Sequence, residues 1–148
     1  MTYDQIFSLT NLSVMPAWAL LVLLPRAGIT QKLVHSALYP CLLGLFYAVC
    51  SGFTLFGGAG STDVDFTTIE GVRAIFSTDI GVLIGWSHYL VFDLFVGAWI
   101  GRDALRRGIT HWLAAPSMLF SFILGPIGLL LYMTGRYAIK RTATLEEA

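Results

Sequence analysis

The chain has 148 residues, of which 56% are hydrophobic and 12% charged, and its mean hydropathy is +0.73; an average soluble domain carries roughly 25% charged residues. Nine Lys and Arg balance nine Asp and Glu, so no basic field exists to hold nucleic acid and no acidic tail stands out. An ordinary soluble enzyme and a nucleic-acid partner are both excluded, and the lipid bilayer becomes the expected medium.

No formal charge occurs between Asp4 and Arg26, and residues 6–24 are long enough to cross about 30 Å of hydrocarbon at ~1.5 Å per residue. The Asp4 start lacks the basic region of a secretory signal, and Pro25-Arg26 stands where a cleavage site is expected, so this run is read as a retained first span. After a Pro25-Arg26-Ala27-Gly28 turn and Lys32, residues 34–56 contain no charge and form a second span. Within it Ser36, Pro40, Gly44, Ala48 and Gly52 repeat every four residues, the ridge of small side chains along which membrane helices approach closely. Cys41 and Cys50 lie nine residues apart on this helix, about 13 Å by rise, too far for a disulfide between them. They read as small buried hydrophobes.

The connection 57–78 starts as a flexible Gly-rich stretch. Further on, Phe66, Ile69, Val72 and Phe76 fall on one helical face, as in a short helix lying at the membrane interface with Asp65 as its cap. Ser77, Thr78 and Asp79 then cap a third span over 80–100, whose only formal charge is Asp93. Gly81 with Gly85 and Gly97 with Gly101 are offset by roughly 160° around that helix, which assigns the two pairs to different neighbours, one within the chain and the other a second copy in a homodimer. Arg102, Asp103, Arg106 and Arg107 close the span as a connection. A fourth span, 112–133, ends before Arg136, Lys140 and Arg141.

The expected fold is therefore all-α: a single integral membrane bundle of four transmembrane helices with a short interfacial helix between the second and third. A soluble helical protein would need polar outer faces, and these segments are apolar all round. With four straight spans, Arg26, Lys32, Arg102, Arg106 and Arg107 face one side and Arg73, Arg136, Lys140 and Arg141 the other; five against four does not orient a protein. The flanks of the first span lean toward both termini lying outside.

An ionisable group inside a membrane span is by default a functional candidate. Asp93 is so placed, with Tyr89 one turn and Trp86 two turns before it on the same face, and a carboxyl surrounded by hydrocarbon suits a general acid. The bland reading is a structural carboxylate bonded to another helix, for instance to an Arg near the membrane edge. The other seventeen formal charges fall at expected helix ends, in connections or in tails. His88 lies roughly 140° around the helix from Asp93. His35 and His111, at the starts of spans two and four, read as interfacial hydrogen-bonding groups, and three scattered His make no metal site. Arg136 reads as an interfacial anchor that also offers a cation to a ligand's polar end. Trp86, Tyr89, Phe92, Phe95 and Trp99 crowd the third span, and an aromatic cleft with few polar groups suits a long, flat polyene. Neither catalytic nor nucleotide-binding fingerprints occur.

The stretch Trp86-x-His88-x-x-x-x-Asp93-Leu94-Phe95-x-Gly97, the following Asp103, and Gly125-Pro126-x-Gly128-Leu129-Leu130-x-Tyr132 ahead of Arg136 resemble the abscisic-acid-deficient-type family. That family includes plant plastid proteins needed for neoxanthin formation and small bacterial and algal relatives. The resemblance covers essentially the whole chain. It implies action on a carotenoid, the isomerisation of a 5,6-epoxide to an allenic alcohol, with an acid protonating the epoxide oxygen, a base removing a proton from the adjacent polyene carbon, and no organic cofactor. On that reading Asp93 is the acid, His88 the base, and Trp86, Tyr89, Phe92 and Arg136 bind the substrate. The absence of a plastid-type leader points to a bacterial relative in the inner membrane. The alternative is a non-enzymatic membrane protein that holds a carotenoid, quinone or haem.

Overall fold

In the computed structural model, which describes residues 1–58, 60 and 63–146, the chain is all-helical among the described residues. Its helices are α1 (Tyr3–Leu23), α2 (Gly28–Thr30), α3 (Leu38–Gly57), α4 (Ile69–Ile75), α5 (Asp79–Arg107) and α6 (His111–Lys140), with a π-helical turn at Gln31–His35 between α2 and α3. Four stretches are long and apolar enough to cross a membrane: α1, Gly28–Gly57, α5 and α6. Short α4 joins the second to the third, as expected.

Local chemistry explains the boundaries. Thr2 and Gln5 close a capping box on α1, with Gln5 N–H donating to Thr2 Oγ1 at 3.3 Å and Thr2 N–H to Gln5 Oε1 at 3.0 Å. The second stretch starts six residues earlier than expected and is broken where Ala37 adopts φ 62°, a left-handed conformation that a Cβ disfavours. The α4 cap is Thr68, whose hydroxyl accepts from Gly71 N–H, rather than Asp65. Asp65 instead takes the N–H and O–H of Thr67, and these bonds hold its carboxyl below the usual carboxylate range. Thr78 caps α5. That helix runs on through Arg102–Arg107, because charge at a membrane edge does not end a helix; Gly108 at φ 59° does, letting Ile109 N–H reach back to Ala104 C=O at 2.9 Å.

The fourth stretch departs most from a straight span. Its backbone leaves helical geometry at Leu124 and Gly125, and the chain doubles back there. Gly128 lies against the backbone of Ser117 and Ser121, and Gly135 against the side chain of Leu113. In a straight helix residues 113 and 135 would be about 33 Å apart. The segment is thus a helical hairpin, with one arm over 111–123 and a returning arm over 126–140. Lipid-depth breaks of this kind are tolerated where protein packs on them, and here Asp93 of α5 lies against Gly125.

Doubling back moves the chain end. The C-terminal segment is tied to the end of α5, with Arg107 donating to Glu146 C=O at 2.7 Å and Arg136 to Thr144 C=O at 2.6 Å. The termini therefore lie at opposite ends of the bundle, not on one side. Arg136, Lys140 and Arg141 join Arg26, Lys32, Arg102, Arg106 and Arg107 at one end, leaving Arg73 at the other. The expected near-balance becomes eight against one.

The core is shared by α1 (Val14, Ala17, Trp18, Leu21), α5 (Leu90, Leu94, Ala98, Ile100) and α6 (Ala114, Met118, Tyr132). The two glycine pairs of α5 do serve different neighbours: Gly81 and Gly85 admit Ile75 and Phe76 from the α4 segment, and Gly97 seats the Trp18 indole of α1. Both pairs act within one chain. The small-residue ridge of α3 does not, since Gly44 and Gly52 face open space. Cys41 and Cys50 are both free; Cys50 is buried, whereas Cys41 is exposed.

Candidate functional site

Asp93 occupies the midpoint of the 29-residue α5, about 21 Å from either helix end at ~1.5 Å per residue. It meets the tip of the α6 hairpin. The space a Cβ at Gly125 would need is taken by Asp93 Oδ1, so glycine is required there by close approach. Pro126 follows, lacking an N–H, and the Gly-Pro step ends the first arm. No hydrogen bond or ion pair reaches the Asp93 carboxyl among the described residues. A structural carboxylate should have a partner in hydrocarbon, and the basic end of the bundle is two to three turns away along α5.

Around it, Trp86 on the same side of α5 is held by α1: its indole N–H donates to Asn11 Oδ1 at 2.8 Å and its ring packs on Phe7 at 5.7 Å. Trp86, Tyr89 and Phe92 keep large outward-facing areas. The hairpin arms descend only to the Asp93 level, so below it α5 lacks a partner from α6. Tyr89 and Phe92 are exposed there.

His88 is not brought to Asp93. Its ring sits 5.8 Å from Tyr47 of α3 and 4.7 Å from Phe92, on the far side of α5 in keeping with the roughly 140° offset. Arg136 is elsewhere again and fully enclosed at 0% exposure, so it is not open to a ligand.

Arg136 belongs to a second constellation, nearer the basic end. Asp103 accepts from Tyr132 Oη at 2.6 Å, Arg136 Nη1 at 2.9 Å and Arg107 Nε at 2.8 Å. Trp99 completes the enclosure, edge-on to Tyr132 at 5.7 Å and beneath the Arg136 guanidinium at 5.7 Å. Asp103 lies inside α5 at 1% exposure, not in a water-filled connection. The expectation that every charge except Asp93 falls at a helix end, in a connection or in a tail is therefore overturned by Asp103, inside α5, and by Arg136, enclosed within α6. Their pairing explains how burial is tolerated: both Asp103 carboxylate oxygens accept from charged or hydroxyl donors, and Arg136 Nη1 and Nη2 reach Asp103 and the Thr144 carbonyl. The cluster clamps the returning arm to α5 and so sets the depth of the hairpin tip.

Two of these features had a signal in the sequence. Gly125-Pro126 inside an apolar run is a break signature, and Arg102-Asp103-x-x-Arg106-Arg107 places cations at i+3 and i+4 from an acid. The long-range pairing with Tyr132 and Arg136 had none.

Among the described residues, no group of three or more His, Cys, Asp or Glu is arranged to hold a metal ion.

Residues 5–132 match the model of a protein family described as ABA4-like, ABA DEFICIENT 4-like. A curated relative, "Protein ABA DEFICIENT 4, chloroplastic" of Arabidopsis thaliana, is 26% identical over 110 residues, which cover 72% of this chain and 50% of the relative. The match thus spans about half of that relative's length. No solved structure matches.

Proposed function

The chain belongs to the ABA DEFICIENT 4-like family, and we propose that it is an intramembrane carotenoid protein whose Asp93 transfers protons to and from a bound carotenoid epoxide. The observation that carries this reading is the unpartnered Asp93 carboxyl at the midpoint of α5, set against the glycine tip of a broken helix. A structural role leaves it unexplained.

The chemistry balances with proton transfers alone. The protonated carboxyl gives its proton to the epoxide oxygen. The C–O bond to the ring carbon bearing the polyene breaks, and the oxygen stays as a hydroxyl on the neighbouring carbon. A proton then leaves the adjacent polyene carbon, completing the allene with no change in composition or redox state. The carboxylate left by the first step then accepts that second proton, so one residue serves as acid and base. His88, which faces α3, is not needed as the base. Trp86, Tyr89 and Phe92 supply the flat apolar surface along which a polyene lies.

The test is co-expression with the carotenoid pathway of cells that accumulate violaxanthin, followed by chromatography. Neoxanthin appears with the wild type and falls at least a hundredfold with Asp93→Asn at equal protein level, the scale of removing a general acid–base. Undiminished product with Asp93→Asn removes Asp93 from the chemistry. A three-peaked carotenoid spectrum on the purified protein with no conversion turns the reading to pigment binding, and a sharp Soret band turns it to haem.

A further inference from the structure

A cavity opens at the basic end, away from Asp93. It has a volume of about 410 Å³, within the roughly 300–1,000 Å³ of small-ligand sites. It lies between the end of α1, the last turns of α5 and the start of α6. Leu24, Leu105 and Ile109 make its walls apolar, and the small Gly101, Ala104 and Ala114 leave the room.

Two polar side chains line it, Arg26 of the connection after α1 and His111 at the start of α6, and both are exposed. Neither has a hydrogen-bond or ion-pair partner among the described residues. Of the other arginines at the same end, Arg106, Arg107 and Arg136 are engaged with Asp103 and Arg102 with the His35 carbonyl at 3.2 Å, and Arg141 does not line the cavity. Arg26 is thus a spare cation beside an apolar cleft, at the end of a helix pair where water and hydrocarbon meet.

We propose that this cavity binds one anionic phospholipid, its phosphate on Arg26 and His111 and the start of an acyl chain along Leu24, Leu105 and Ile109. Charge complementarity selects the headgroup. Eight of the nine Lys and Arg lie at this end, which the positive-inside rule places on the cytoplasmic side, where anionic lipids give the leaflet its negative surface potential. The apolar lining selects a lipid over free phosphate, which gains nothing from those walls. Asp93 lies eleven residues before Ala104 on α5, about 16 Å deeper, so this site is separate from the carotenoid site and does not depend on it.

The full-length protein in phosphatidylcholine nanodiscs is titrated with phosphatidylglycerol, reading thermal unfolding and, by native mass spectrometry, the number of lipids retained. One retained phosphatidylglycerol and a rise in Tm are expected. Arg26→Gln should weaken binding about fivefold, the effect of one cation near an anionic lipid, whereas Lys140→Gln, an equal charge change at the same end outside the cavity, should not. Equal weakening by both variants would mean a diffuse field rather than a site and overturns the proposal. Equal stabilisation by soluble glycerol phosphate identifies a free-phosphate site and overturns it too, as does the absence of any retained lipid.

Discussion

Removing the anion of the buried cluster should harm the protein more than removing its buried cation. Asp103 is the common acceptor for Tyr132, Arg107 and Arg136 at 2.6, 2.8 and 2.9 Å. Without Arg136, the carboxylate keeps two donors, one of them charged. The loss in Arg136→Met is then one charge-assisted bond, about 1.5–3 kcal/mol, because the Thr144 C=O released at the exposed chain end can hydrogen-bond to water. Without Asp103, the cations behave differently. The side chains of Arg106 and Arg107 are 30% and 17% exposed and can turn to water, whereas Arg136 is at 0% and cannot. Its Nε is already without a hydrogen-bond partner. Asp103→Ala therefore strands a buried guanidinium, a loss of about 3–5 kcal/mol. At roughly 2–4 °C per kcal/mol for a chain of this size, Asp103→Ala should melt on the order of 10 °C below the wild type and Arg136→Met about half as far. Circular dichroism of the detergent-solubilised proteins measures both, and the double variant should recover part of the Asp103→Ala loss, because the stranded charge is gone. Arg136→Met at least as destabilising as Asp103→Ala, or a strictly additive double variant, would refute this account of the cluster.

Three further outcomes test the hairpin and its surroundings. In a Cys41→Ser, Cys50→Ser background, single cysteines at positions 2 and 144 should be labelled by an impermeant maleimide from opposite sides of the membrane; labelling from the same side would mean that α6 runs straight across. Gly125→Ala puts a methyl into the Asp93 carboxylate and should destabilise by about 1–3 kcal/mol, with at least 0.5 kcal/mol recovered in the Asp93→Ala background; equal losses in both backgrounds would show that the tip does not touch Asp93. Ala37→Gly relieves a left-handed alanine and should leave unfolding unchanged or raise stability by up to about 1 kcal/mol, whereas Ala48→Gly in the middle of α3 should lose about 1 kcal/mol; matching losses would place Ala37 in ordinary helical geometry.

Much of the architecture is written in local chemistry. A bilayer demands about 20 apolar residues per crossing, so the absence of charge over 6–24 and 34–56 is enough to place α1 and the second stretch. The threonine caps at Thr78 and Thr110 act within their own first turns and can be found the same way. Asp93 stands out because it is the one acid in an otherwise apolar run, and the order of residues from Trp86 to Gly97 and from Gly125 to Tyr132 carries the family resemblance. Apolarity does not report direction, however. A 30-residue run such as α6 satisfies the same length criterion whether it crosses once or folds at Gly125. That choice depends on what α5 offers: a carboxylate at the tip, and at the edge an acid, Asp103, that draws Tyr132 and Arg136 across 29 and 33 residues of chain. Such bonds are paid for by distant partners, which no window along the chain contains. The bilayer thus settles how many apolar segments there are and where they lie, while side chains far apart in sequence decide that the last one turns back, which end gathers the positive charge, and which neighbour the lone acid faces.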